Sequence, residues 1–348
     1  MRFLLLAGTF ATAMLNCIAS VLASDHIWIV GSGTAQPFTA AVAERAARTA
    51  GGPAPIVEHT GTTLAFAYLC GGPGAGHPNA ASVTRRMTKR EFDSCRKNGV
   101  SEIVEIPVGL DILVVAQSTA GPRMRLTLAQ IFLALGRDVP GNDGELIANP
   151  HRKWSDIDST LPDARIDVRV LPPASGTRDA LQELFIENGA EGFPHLARRM
   201  ATDGSLRKQV RTMRNDHSIV VVHENQEVIA RELVANPNAL GIFGYRFLQA
   251  HISRLRGVAI EGVEPTEENA YAGRYRGVRK IYVYVRKDRL EAAPGLDRLG
   301  AEYMSNAALG PEGYLLKLGF VPLPTDDMIK AIAHAKAMAT LHPDLLPD

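Results

Sequence analysis

Cysteine is scarce in this 348-residue chain, with three in all, and neither sign of charge is in excess: 38 lysines and arginines face 37 aspartates and glutamates. No Cys-x-x-Cys, His-Glu-x-x-His or Cys/His cluster occurs, and the ten histidines are scattered, so neither a zinc site nor any other metal or cofactor is expected. There is no basic stripe of the kind that neutralises a phosphate backbone, which argues against a nucleic-acid partner. The Gly-x-Ser-x-Gly nucleophile elbow is missing, and no lysine follows Gly71-Gly72-Pro73-Gly74 as a nucleotide-binding loop would require. Ser175 has no histidine at any informative spacing, and no pair of carboxylates stands out. An enzyme is therefore not expected. Internal repeats and a long disordered linker are absent too.

What remains is ordinary globular material, 46% hydrophobic and 22% charged, long enough for two domains with separate cores. Met1-Arg2 is a short positive start, Phe3 to Met14 is largely apolar, and Val21-Leu22-Ala23 offers a cleavage site. Residues 1–23 are thus expected to be a secretory signal peptide. An uncleaved anchor is disfavoured by Asn16 and the scattered Ser and Thr; a lipid on Cys17 is disfavoured because Asn16 is not the small residue such signals place there. Removal of the leader leaves two cysteines, Cys70 and Cys95. In an exported protein they invite a disulfide, the alternative being two separate buried thiols.

Strands and helices alternate along the rest. Strands are expected over His26–Val30, Pro55–Val57, Val100–Val108, Asp111–Ala116, Arg165–Leu171, Ile219–Val222, Ala239–Phe243 and Lys280–Val285. Helices are expected over Phe38–Ala50, Thr63–Leu69, Thr88–Asn98 (with Gly99 as its stop), Leu126–Leu135, Thr177–Glu187 and Gln226–Ala235, and in three stretches near the C-terminus. The pattern predicts an α/β protein with largely parallel sheets. Chain crossings between domains are placed near Ile106–Asp111 and Lys280–Val285, giving a first lobe from 24–110 and 280–348 and a second from 111–279.

Three segments share a strand, a Gly/Ser/Thr turn and a helix: Gly31-Ser32-Gly33-Thr34, Thr60-Gly61-Thr62-Thr63 and Ser175-Gly176-Thr177-Arg178. Unpaired backbone N–H groups and the positive end of the helix dipole favour an anion at such a start. Hydroxyls add donors and glycine permits close approach. Each turn alone could be no more than a helix cap; three together, beside arginines, point to an anion. Arg85 and Arg178 are the guanidiniums expected to meet it, their paired donors matching two oxygens of a tetrahedral ion. Asp179 is expected to hold Arg178, and Arg86 and Arg90 to lie on a solvated helix face.

The order of these landmarks resembles the phosphate-binding periplasmic proteins of ABC transporters, the PstS-like family. After the first two turns come Thr84-Arg85-Arg86-Met87, Trp154-Ser155-Asp156-Ile157, Ser175-Gly176-Thr177-Arg178-Asp179, the Asn236-Pro237-Asn238-Ala239-Leu240-Gly241 segment and Pro265-Thr266-Glu267-Glu268-Asn269. The resemblance implies a bilobed fold of the type II-like binding-protein kind, two α/β lobes joined by crossing strands, with phosphate or a related oxyanion in the cleft. It implies delivery to an ABC permease in the inner membrane, a periplasmic location, a monomer, and a ligand set of Thr34, Thr62, Thr84, Arg85, Ser175, Gly176, Thr177 and Arg178. Departures are visible. Gln36 stands where family members often carry an aromatic, and Thr63-Leu64-Ala65 stands where glycine is usual, so that Leu64 either crowds the cleft or points into the core. Arg85 occupies a place where many members have a proton-accepting aspartate, and Leu171 one where others have an arginine. A binding-fold protein with a sensory or envelope role is the competing reading, and a phosphatase, with phosphate as product, a third.

Overall fold

A computed structural model describes residues 25–141, 144–173, 175–222 and 226–347. The expected export signal lies outside the described residues.

The first lobe begins with β1 (Trp28–Gly31), α1 (Gln36–Ala50), β2 (Ile56–His59), α2 (Thr62–Leu69), β3 (Ala80–Val83) and α3 (Lys89–Lys97). In α1 the buried residues Thr39, Val42, Ala43, Ala46 and Ala47 recur on one face, and Gly51 ends the helix at φ 69°, in the left-handed region glycine tolerates. Thr88 opens α3 with a reciprocal capping box: its side chain accepts from the Glu91 N–H, and the Glu91 carboxylate accepts from the Thr88 N–H. β1 pairs in parallel with β2 on one side and β3 on the other.

The next strand, β4 (Ile103–Ser118), runs 16 residues where two strands were expected. Gly109 suggests a break in sequence but serves packing instead: a Cβ there would lie 2.1 Å from the Phe320 ring. The strand Val278–Arg286 runs antiparallel to β3 and to β4 over Ile103–Ile112, while Leu240–Gly244 pairs with β4 over Leu113–Gln117. Beside Pro107, which has no N–H to donate, the ladder slips: Ile281 faces Gly109 and Tyr282 faces Pro107, leaving Val108 as the extra residue of a bulge. β4 therefore leaves one half of the sheet and joins the other between Ile112 and Leu113. The protein is bilobed, with α/β lobes joined by these crossing strands.

The second lobe carries Val168–Val170 in parallel between Leu240–Gly244 and Ile219–Val221. The sheet as a whole is mixed rather than largely parallel, because the crossing strands run against the parallel sets at each end. α4 (Leu128–Leu135) and α5 (Gly176–Ala180), which continues as a π-helix over Leu181–Glu187, pack on this half. Apolar side chains gather accordingly, around Val114, Phe132, Phe185 and Phe243 in the second lobe and around Val42, Ile106, Val283 and Phe320 in the first. A smaller cluster of Phe66, Leu69, Met87, Phe92 and Tyr284 lies under α2 and α3.

Cys70, just past α2, and Cys95, in α3, form a disulfide with Cα atoms 4.2 Å apart, closing a sequence separation of 25. A loop of this size is expected to contribute about 3 kcal/mol by restricting the unfolded chain. Denaturant titration of the wild type and of the double variant Cys70→Ser/Cys95→Ser should differ by roughly that amount. Superimposable unfolding curves would show that the bridge does not constrain the chain.

Candidate functional site

Because β1, β2 and β3 are parallel, their carboxyl ends, Gly31, His59 and Val83, fall on one edge of the sheet. The residues that follow, Ser32, Thr60 to Leu64, Thr84 and Arg85, line a cavity of about 280 Å³. Asp179, Gln182 and Glu183 close it from the second lobe, with Arg211 and Arg279. The Thr60-Gly61 turn is tied down where the N–H groups of Thr60 and Gly61 donate to the Gly31 carbonyl, at 3.0 and 2.9 Å. Gly61 has φ 76°, which a residue with a Cβ rarely adopts. The turn leaves the first N–H groups of α2 without helical acceptors, beside the paired hydroxyls of Thr62 and Thr84, 3.3 Å apart.

Arg85 is held on this wall. Its guanidinium donates to both oxygens of Glu91, at 2.9 and 2.7 Å, and its carbon lies 5.1 Å from the centre of the Phe66 ring. The hydrogen bonds to Glu91 raise the Arg85 pKa still further above its ordinary value. Burial alone would push the Glu91 carboxyl up, but the bonds from Arg85 and Thr88 outweigh it and hold the group below its usual range.

The expected ligand set is divided. Thr62, Thr84 and Arg85 line the cavity; Thr34, Ser175, Gly176 and Thr177 line an adjoining groove of about 690 Å³ with Gln36, Phe38, Tyr245 and Arg246. What separates the two is a close approach of the lobes, in which a Cβ on Gly176 would lie 1.9 Å from the Thr34 nitrogen. Ser175 caps α5, its hydroxyl accepting from the Thr177 N–H at 3.2 Å.

Arg178 lines neither space. It is buried, donates to the Leu171 carbonyl at 3.4 Å, and its Nε has no partner; burial lowers its pKa. Asp179 does not hold it as expected but faces His59, 3.6 Å away across the two lobes. Arg86 is likewise not on a solvated face: it pairs with Glu105 at 2.7 Å and donates to the Leu345 carbonyl at 2.8 Å, whereas Arg90 is exposed. Leu64 lines the cavity and is 54% exposed, so it does not enter the core.

Sequence reasoning missed Arg279, Arg211 and Glu183. They lie in three segments far apart in the chain, and no turn motif marks them. The Asp179 carboxyl is pushed up by burial, against the opposing pull of His59 and Arg279. A raised folded-state pKa means that ionised Asp179 opposes folding above that pKa and not below the unfolded value. Asp179→Asn should therefore raise the Tm at neutral and alkaline pH, with the gain fading as pH falls through the carboxylate range. A gain that persists unchanged in acid would contradict this origin.

No group of three or more His, Cys, Asp or Glu residues among the described residues could hold a metal ion, and no described helix is long and apolar enough to cross a membrane.

The sequence profile of the PBP superfamily domain matches residues 19–307. The chain belongs to that superfamily. Within its reach, protein SphX from Synechococcus elongatus is 24% identical over 301 residues, spanning 84% of this chain and 76% of its own. Among solved structures, a possible phosphate binding protein from Planctomyces limnophilus superposes with a TM-score of 0.70 at 21% identity, covering 91% of this chain and 99% of that one. An ABC-type phosphate transport receptor from Vibrio cholerae gives 0.57 at 17% identity, covering 86% and 100%. These likenesses establish the bilobed fold of the PBP superfamily for this chain.

Proposed function

We propose that this is an exported solute-binding protein that captures phosphate or a similar tetrahedral oxyanion and hands it to the permease of an ABC importer, without chemistry of its own. The observation that carries the reading is the meeting of hydroxyls, unpaired amides and arginine at one cavity between the lobes. Thr62, Thr84 and Arg85 form the first-lobe wall of the anion site. Ser175, Gly176 and Thr177 form the facing wall of the second lobe and, with Thr34 of the first, reach the same anion as the lobes rearrange about the Gly176–Thr34 approach. Arg178, buried behind this wall, acts on the anion only through the fold, so Arg178→Ala should leave affinity within about twofold of wild type while altering stability. A larger loss of affinity would return it to the ligand set. The phosphate-named structures support the choice of ligand class.

In this account the lobes comprise 24–110 with 280–348, and 111–279, the leader 1–23 is removed on export to the periplasm, and the protein acts as a monomer. Binding across both lobes favours the closed state by differential affinity. Calorimetric titration of the mature protein with phosphate, arsenate, sulfate and molybdate tests the proposal: one saturable site for at least phosphate is expected, and no heat from any of the four would overturn it.

A further inference from the structure

We infer that Arg279 is a second cation, beside Arg85, that receives the anion in this cavity, and that Glu183 occupies the anion's place on it until the anion displaces it. The inference rests on the oxyanion-binding reading above. Arg279 lies on the strand Val278–Arg286 directly opposite Asp111 on β4, at the level where the chain passes between the lobes. Its Nε donates to Asp111 at 2.9 Å, its Nη1 to Glu183 at 2.6 Å, and its Nη2 to the Thr34 hydroxyl at 2.8 Å and the Gly176 carbonyl at 3.5 Å. One guanidinium thus touches a crossing strand, the first lobe and the second lobe while lining the cavity.

The two carboxylates differ in standing. The Asp111 side chain is 14% exposed and that of Arg279 is 6%, a buried pair whose loss would strand a charge. Glu183 is 36% exposed, lines the cavity, and has Arg279 as its one ion-pair partner among the described residues. Asp111 therefore fixes the plane of the guanidinium, and Glu183 is the partner that can leave. A guanidinium has five N–H donors; four are engaged here, and the fifth, on Nη1, adjoins the bond to Glu183. A tetrahedral anion taking both Nη1 hydrogens must replace Glu183, because two anions on one donor edge repel each other. Ligand and carboxylate then compete for the same site, and occupancy is reported directly to the residues that join the lobes.

Competition predicts opposite signs for two variants. In phosphate titrations Glu183→Gln should bind about threefold to tenfold more tightly than wild type, while its ligand-free Tm falls through loss of the ion pair. Arg279→Gln should bind at least about tenfold more weakly. A purely structural Glu183 would lower the Tm with no gain in affinity. The half-exposed Glu183 tolerates replacement, so Glu183→Gln decides the matter even where Arg279→Gln does not fold. Wild type that binds phosphate, together with a Glu183→Gln affinity equal to or weaker than wild type, would overturn the exchange. Wild type that binds none of the four oxyanions would overturn the underlying reading, and this inference with it.

Discussion

Gly176→Ala is expected to abolish tight anion binding while both lobes remain folded. The added Cβ would stand 1.9 Å from the Thr34 nitrogen and 2.4 Å from the Gly33 carbonyl carbon, and these are backbone atoms that cannot swing aside. Overpacking of this kind costs about 1–3 kcal/mol inside a core. Here it falls between two lobes, each with its own apolar cluster, so the least costly relief is to part them. A cleft held apart loses the contacts made by its second wall, and each 1.4 kcal/mol lost is about tenfold in affinity. The expected loss is therefore about tenfold to a hundredfold or more. Phosphate titration should show it, and small-angle scattering should show a larger radius for the variant at saturating phosphate. Wild-type affinity with an unchanged radius would mean that the approach at Gly176 has no part in closure.

Arg85→Ala is expected to weaken binding by about one to two orders of magnitude. Charge-assisted hydrogen bonds contribute roughly 1.5–3 kcal/mol net, and this guanidinium is already oriented, by Glu91 on one edge and Phe66 beneath, so little entropy is lost when an anion arrives. The substitution also strips Glu91 of its main partner. Because the folded-state pKa of Glu91 is depressed, its stabilising contribution is present above the unfolded carboxylate value and is lost as pH falls through the lower folded value. The gap in Tm between wild type and Arg85→Ala should accordingly narrow in acid. Equal dissociation constants for the two proteins would remove Arg85 from the site.

The parts of this structure that were legible in the sequence are those written locally. The helix Gln226–Ala235 was expected with those same bounds, and α1 and α3 to within a few residues, because helical periodicity and end signals sit in adjacent positions. The unity of β4 was hidden by Gly109, whose reason is a ring from Phe320 more than two hundred positions away in sequence. β3 is absent from the expected strands, since four residues, two of them alanine, carry little strand preference. The helices Pro194–Met200 and Gly204–Val210 were passed over, being two turns each and rich in charge. At the site, the turns at Thr60–Thr62 and Ser175–Thr177 could be found by composition. Arg178 was drawn to the ligand by adjacency alone: one residue past Thr177, the helical rotation carries it into the interior. Arg279 lay beyond reach for the opposite reason. In sequence it is one more basic residue just ahead of the expected strand Lys280–Val285, and only the pairing opposite Asp111 brings it to the cleft.

The central claim is that a tetrahedral oxyanion sits between the carboxyl ends of the first-lobe strands and the second lobe. The most direct measurement is the position of arsenic, located by its anomalous scattering, in crystals of the mature protein grown with arsenate. The account predicts one strong peak in the cavity, within hydrogen-bonding reach of the Thr62 and Thr84 hydroxyls and the Arg85 guanidinium. A peak elsewhere on the molecule, with this cavity empty at saturating arsenate, would contradict it.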